Sequence, residues 1–280
     1  MNKKFFDIKK VFRTSKSPFY RYMPGFVING IRKIVREDKL NELYAKYGHL
    51  YGIDLVKALL FQEFNVKIDI IGTENVNPNG RYTYIANHPL GAIDALGFLY
   101  LVYKIHGNVL SPSNKIFEYI PNLHELIVPV DVFGHSTKEQ IQAVNEAFAS
   151  EKQIMIFPAG EVSRFINGKI QDPQWHKTFL TKSVKYHRDI VPVFITGRNS
   201  NRFYKTAKIR KKLGLKIYIE SLLLPDEMLK KYNAQLTYII GKPISYKEIE
   251  NSNISHKDWV EKIKNIVYKL GESYIQNQKL

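Results

Sequence analysis

The sequence predicts an α/β fold: a mostly parallel or mixed sheet flanked by helices, with an N-terminal helical portion. Three observations predict it. Short apolar runs recur along the chain: VKIDIIG, RYTYIANH, LIVPVDVF, QIMIFPAG, DIVPVFITG, LKIYIES and LTYIIGKPI. Helix-period segments such as TKEQIQAVNEAFAS and WHKTFLTKSVKYH lie between them. The 280 residues, 44% of them hydrophobic, suffice for an ordinary globular core.

To about Arg36 the chain reads as an arm of short helical pieces, because Pro18, Pro24 and Gly25 interrupt it. A helix is expected from Lys39 to Phe64, where Leu40, Leu43, Tyr44, Tyr47, Leu50 and Tyr51 recur at helical spacing. Val66 to Gly72 alternates as a strand, NPNG turns, and RYTYIANH is the next strand. ALGFLYLVYKI reads as a buried helix. The tail SHKDWVEKIKNIVYKL is helical, with Ser255 as N-cap and Trp259, Ile263, Ile266, Val267 and Leu270 on one face.

Charge narrows the partners. The net charge is +16, and the segment through Arg36 holds ten Lys or Arg against one acid, Asp7. So basic a chain is expected to meet something anionic. Cysteine is absent, which excludes disulfides, thiolate zinc sites and cysteine nucleophiles. No segment reads as a signal peptide, and no apolar run reaches the roughly 18 residues of a membrane span. An intracellular protein, soluble or peripheral, is expected. Nucleic acid is not the expected partner, since no helix-turn-helix, zinc-finger or RNP pattern is present.

Two stretches carry chemistry. In YIANHPLGAIDALG the strand delivers His88 to its C-terminal end, Pro89 breaks the strand, and Gly91 permits a tight path into a helix carrying Asp94. A carboxylate that accepts from one imidazole nitrogen leaves the other as a base. No G-x-S-x-G elbow is present, so an acyl-enzyme serine is not signalled. A His-Asp pair without its own nucleophile suits direct attack by a substrate hydroxyl on a bound thioester. In IFPAGEVSRF a second strand ends in Pro-x-Gly. Gly160 lets backbone approach a ligand, Ser163 can donate, and Arg164 either grips a phosphate or pairs with Glu161 at the surface.

NHPLGAID followed by FPAGEVSR resembles the lysophospholipid acyltransferases, the glycerolipid acyltransferase family. IVPVFITG and YIIGKPI resemble that family's later blocks, in family order, so the likeness spans Val66 to Ile244. The resemblance implies a glycerolipid-acyltransferase-like fold, with His88 as general base and Asp94 as its orienting acid. It also implies an acceptor site with Asn87, Gly91, Gly160, Glu161, Ser163 and Arg164, and backbone donors near Gly91 or Gly160 for the oxyanion. Two departures stand out. Five residues, not the family's four, separate His88 from Asp94, which turns a helical side chain by about 100°. Ala159 stands where the family usually has glutamate. Both suggest a divergent branch, such as the hemolysin-like or aminolipid acyltransferases.

The implied reaction is O-acyl transfer from an acyl thioester, on acyl carrier protein or coenzyme A, to a lysolipid hydroxyl. 1-acyl-glycerol-3-phosphate and a non-phosphate aminolipid are the alternative acceptors, and a lipid-binding protein without turnover is the third reading. No metal or cofactor is expected. Residues 1–65 are expected to form a basic, membrane-facing arm and helices, and 66–280 an α/β acyltransferase domain. Lys and Arg in the arm, interleaved with Phe5, Phe6, Phe12, Phe19 and Tyr20, suit an anionic membrane surface at the cytoplasmic face. A second basic stretch from Arg198 either joins that face, meets an acidic carrier or is simply solvated.

Overall fold

The computed structural model describes residues 5–15, 17–114, 120–130, 137–215 and 218–278. The N-terminal segment forms α1 (Ile8–Arg13), α2 (Pro18–Arg21), α3 (Gly25–Ile34), α4 (Glu37–Tyr47) and α5 (Gly52–Lys57), which runs on into a π-helical turn, Ala58–Glu63. Then follow β1 (Lys67–Ile71), β2 (Tyr82–Ala86), α6 (Ala92–His106), β3 (Ser111–Asn114), β4 (Ile127–Val130) and α7 (Lys138–Ala149). Next come β5 (Ile154–Ile156), β6 (Arg164–Ile166), β7 (Lys169–Gln171), α8 (Thr178–Lys185), β8 (Asp189–Ile195) and α9 (Asn201–Lys212). The chain closes with α10 (Leu224–Leu229), β9 (Gln235–Ile240), α11 (Tyr246–Glu250) and α12 (His256–Asn277).

Five strands make the central sheet, in the order β1-β9-β8-β2-β5. It is mixed: β8, β2 and β5 run parallel, β1 and β9 run parallel, and β8 meets β9 antiparallel. The period-2 alternation of strand side chains divides the core into two layers. Tyr84, Ala86, Val191, Val193 and Tyr238 pack with Phe98, Leu101 and Val56 on one face. Ile85 and Ile190 pack with Phe179, Trp259, Ile263 and Val267 on the other. β2 is buried at all five positions, which explains why TYIA is a continuous apolar run rather than an alternating one. Ser255 caps α12 by accepting from the Asp258 amide, as expected.

Three elements differ from expectation. The helix expected over Lys39–Phe64 is two helices, because the chain leaves helical geometry after Tyr47 and restarts at Gly52, whose φ is +50°. LIVPVDVF forms a strand but is not one of the five: β4 pairs parallel with β3, and Leu110, just before β3, bridges Ile154 of β5 at the edge of the central sheet; residues 131–133 lie outside the described residues. LKIYIES is no strand where it is described; Ile219–Leu223 is a 3₁₀ helix, and 216–217 lie outside the described residues.

A buried arginine locks α7 to the sheet. Arg188 is fully buried and, among the described residues, has no carboxylate as a hydrogen-bond partner. It donates instead to the carbonyls of Phe148 (2.8 Å), Lys152 (2.9 Å), Tyr82 (3.1 Å) and Ser150. Arg81 donates to Phe148 and Ser150 as well. The last carbonyls of a helix lack intrahelical partners, and these two guanidinium groups supply them. Burial pushes the Arg188 group down to about 9, with repulsion from Arg81 adding to it. Arg188→Met strips donors from carbonyls that stay buried, so we expect about 3 kcal/mol of lost stability, read as a lower urea midpoint. The turnover of the folded fraction should not change.

Candidate functional site

Parallel strands β2 and β5 end at the same edge of the sheet, so the loops that follow them are neighbours. The β2 loop carries His88. Its first residue, Asn87, continues the ladder with its side chain: Nδ2 donates to Ile195 O (2.9 Å) and Oδ1 accepts from Ile195 N (2.8 Å). Asn87 is thus a buried strand extender that sets where His88 leaves the sheet.

The imidazole is held on two sides. His88 Nδ1 lies 3.1 Å from Asp94 Oδ2. Asp94 is wholly buried, whereas the His88 side chain is 15% exposed. A carboxylate only accepts, so Nδ1 carries the proton and Nε2 keeps its lone pair. One ring face stacks on Phe157, with centroids 3.9 Å apart and planes inclined by 18°. Phe157 stands within the quoted FPAG stretch, but sequence reasoning gave it no role.

Asp94 is itself fixed by the start of α6. Its Oδ2 also accepts from Leu90 N (2.8 Å) and its Oδ1 from Ala95 N (2.9 Å). Its carbonyl accepts from Tyr238 OH (3.0 Å). Gly91 is the N-cap of α6, at φ 107° and ψ −111°, a conformation open only to glycine. That turn absorbs the extra residue between His88 and Asp94. The carboxylate sits at the third helical position, in the first turn where a negative charge suits the helix dipole.

The β5 loop approaches from the side. Ser163 N donates to His88 O (2.7 Å), which joins the two loops directly. Ser163 Oγ donates to Asp172 Oδ1 (2.5 Å), so this hydroxyl points into the protein. Gly160 turns at φ +67°, and its N–H is spent on Phe157 O (3.0 Å). An oxyanion donor is therefore better sought at Gly91 and the first turn of α6 than at Gly160.

Arg164 is buried and internally paired. Its Nη2 meets Glu161 Oε2 (3.2 Å), its Nε meets Glu220 Oε1 (3.3 Å), and its Nη1 donates to Val162 O. Phe203 lies under the guanidinium, 5.0 Å from ring centroid. Arg210 Nε completes the cluster 3.1 Å from Glu220 Oε1. Two arginines and two glutamates leave no surplus of positive charge. The ion pair with Glu161 is thus present, joined by a second, buried carboxylate that the sequence did not point to. Burial pushes the Glu161 carboxyl up, against the pull of Arg164.

A cleft of about 520 Å³ lies elsewhere, between α4 and α10, with Arg36, Leu43, Glu63, Asp226 and Tyr232 among its lining. Its main charges are paired, Arg36 with Asp226 and Lys46 with Glu63. Among the described residues no cluster of His, Asp and Glu could hold a metal ion.

Residues 10–276 match the family described as Acyltransferase. Lyso-glycine lipid O-acyltransferase of Phocaeicola vulgatus is 37% identical over 265 residues, covering 94% of both chains. Lyso-glycine lipid O-acyltransferase of Bacteroides thetaiotaomicron is also 37% identical over 265 residues, covering 94% of this chain and 97% of its own. The solved 1-acyl-sn-glycerophosphate (LPA) acyltransferase PlsC of Thermotoga maritima aligns with 89% of this chain and 92% of its own, at TM-score 0.45 and 15% identity.

Proposed function

This chain belongs to the acyltransferase family, and from that premise we propose that it moves an acyl group from a thioester, on acyl carrier protein or coenzyme A, to the hydroxyl of a lyso-glycine lipid. The observation that carries the reading is the His88–Asp94 pair, with Nδ1 held by a buried carboxylate and Nε2 left as a base. The acceptor hydroxyl approaches Nε2. Its proton passes to His88 as its oxygen attacks the thioester carbonyl, and the Asp94 carboxylate stabilises the imidazolium so formed. Amides at the start of α6 receive the oxyanion. Collapse expels the thiolate, which recovers the proton from His88.

Two observations favour an acceptor without phosphate. Arg164, the cation on the second loop, is already matched by Glu161 and Glu220. A phosphate group would have to displace a carboxylate there, leaving a buried charge unpaired. The two relatives above are also named for a glycine lipid. The acceptor lives in a bilayer, and α1–α3 suit its surface: Tyr22 and Phe26 are 76% and 79% exposed, with Arg21 next to Tyr22 in sequence and Lys33 two turns after Phe26 along α3. No described helix is long and apolar enough to cross a membrane. We place the enzyme on the cytoplasmic face, where its thioester donors are made.

The test is acyl transfer by the purified protein from each thioester to lyso-glycine lipid and to 1-acyl-glycerol-3-phosphate. We expect kcat/KM for the glycine lipid to lead by roughly 100-fold or more, the scale set by an unmatched polar group in a built site. Preference for the phosphate acceptor would overturn the acceptor assignment. Transfer to neither would overturn the reading as a whole.

A further inference from the structure

A second carboxylate touches the His88 loop, and no part of the reaction above uses it. Asp172 follows the β6–β7 hairpin and is 1% exposed. Its Oδ1 accepts from His88 N (3.1 Å) and from Ser163 Oγ (2.5 Å). Its Oδ2 accepts from Trp175 Nε1 (2.9 Å). Its own N–H donates to Tyr268 OH on α12 (2.7 Å), and its carbonyl accepts from Lys264 Nζ (3.0 Å) on the same helix. Ser163 N meanwhile donates to His88 O (2.7 Å). The His88 carbonyl is thereby tied to the second loop and its N–H to Asp172, while Asp94 and Phe157 tie its ring.

Burying a carboxylate is costly, and burial pushes the Asp172 carboxyl up against the pull of its three donors. A loop could be closed with ordinary backbone pairs. What the carboxylate adds is one acceptor that takes the His88 amide and the Ser163 hydroxyl on a single oxygen. It thus sets the distance between the two loops that bracket the reacting atoms. A misplacement of 1 Å in such a site costs on the order of 100-fold in rate.

We propose that Asp172 is a positioning residue for the acyl transfer. In this assignment it fixes the His88 backbone so that Nε2 meets the acceptor hydroxyl, and α12 braces it through Tyr268 and Lys264. The proposal rests on His88 being the base. In Asp172→Asn one carboxylate oxygen becomes an NH₂ group, which must face either Trp175 N–H or the His88 amide and Ser163 hydroxyl. Donor then meets donor in either orientation.

The experiment compares wild type, Asp172→Asn, His88→Ala and Arg188→Met in the transfer assay, with melting temperatures measured for all four. We expect Asp172→Asn to lower kcat by roughly 10- to 100-fold while KM for donor and acceptor stays within about threefold. Arg188→Met, far from the loop, should melt earlier yet keep the kcat of its folded fraction. A kcat within twofold of wild type for Asp172→Asn would overturn the proposal. So would a loss confined to KM, or an equal kcat loss in Arg188→Met. If Asp172→Asn does not fold, Ser163→Ala and Tyr268→Phe take its place. Each keeps the His88–Ser163 backbone bond and removes one hydroxyl, Ser163 Oγ from Asp172 Oδ1 or Tyr268 OH from Asp172 N–H, and each should lower kcat several-fold at constant KM; unchanged kcat in both overturns the proposal. His88→Ala separates the two failures. Full activity there removes the base and the proposal with it, whereas a dead His88→Ala beside a fully active Asp172→Asn removes the proposal alone.

Discussion

Replacing His88 by alanine is expected to lower kcat for acyl transfer by roughly 10³-fold, the range open to a positioned general base, with KM for the thioester little changed. The expectation follows from how the imidazole is held. Its Nδ1–H is committed to Asp94, whose carboxylate lies 3.1 Å away and is closed to solvent. The ring lies flat on Phe157, so its in-plane direction is fixed as well. In the proposed reaction Nε2 is therefore a base aimed by two contacts before any substrate arrives. An alcohol is a poor nucleophile at neutral pH, and water in the vacated space would be a far weaker base than imidazole. Alanine also leaves a slot of imidazole shape against Phe157, with the Asp94 carboxylate at one end. Added imidazole should refill it and restore part of the lost rate in the alanine variant, without raising the rate of wild type. A kcat for His88→Ala within tenfold of wild type would assign the base to another group.

How much of this was legible in the sequence depends on the range of the interactions. His88 and Asp94 lie six positions apart, and a strand end followed by a helix start is a local pattern. The same is true of Gly91, whose φ of 107° turns the chain so that Asp94 meets His88 across five intervening residues. The mixed α/β sheet follows from strand and helix periods, each read within a dozen residues. The fate of Arg164 was not legible. Its buried partner Glu220 is 56 positions away, in a stretch whose apolar alternation suggested a strand and which forms a 3₁₀ helix instead. Nor was β4 legible as a strand outside the five of the central sheet, since a strand's own residues do not say which neighbour it pairs with. Asp172 lay between these cases. Asn167-Gly168 is a two-residue hairpin signature, with φ of 49° and 80° in the structure. Read as such, it folds Gln171 back onto Arg164 and brings Asp172 beside Ser163.

Asp94→Asn is expected to lower kcat by roughly 10²- to 10⁴-fold although the side chain keeps its shape. The carboxylate has three acceptor duties: Oδ2 takes Leu90 N–H and His88 Nδ1–H, and Oδ1 takes Ala95 N–H. An amide has one oxygen for them. If that oxygen faces His88, the NH₂ group is driven against Ala95 N–H at the start of α6. If it turns the other way, NH₂ faces Leu90 N–H and His88 Nδ1 together. The imidazole then meets a donor, becomes the acceptor at Nδ1, and carries its proton on Nε2. In that tautomer it cannot take a proton from the acceptor hydroxyl. Even in the first orientation the negative charge opposite the developing imidazolium is gone. Both outcomes act on the transition state rather than on binding, so the loss should fall on kcat with KM held within a few-fold. Crystallography at high resolution, or the imidazole nitrogen shifts in NMR, would distinguish the two tautomers. An Asp94→Asn variant with near wild-type kcat would mean that His88 is oriented by Phe157 and its backbone ties alone, and would strip Asp94 of its part in the reaction.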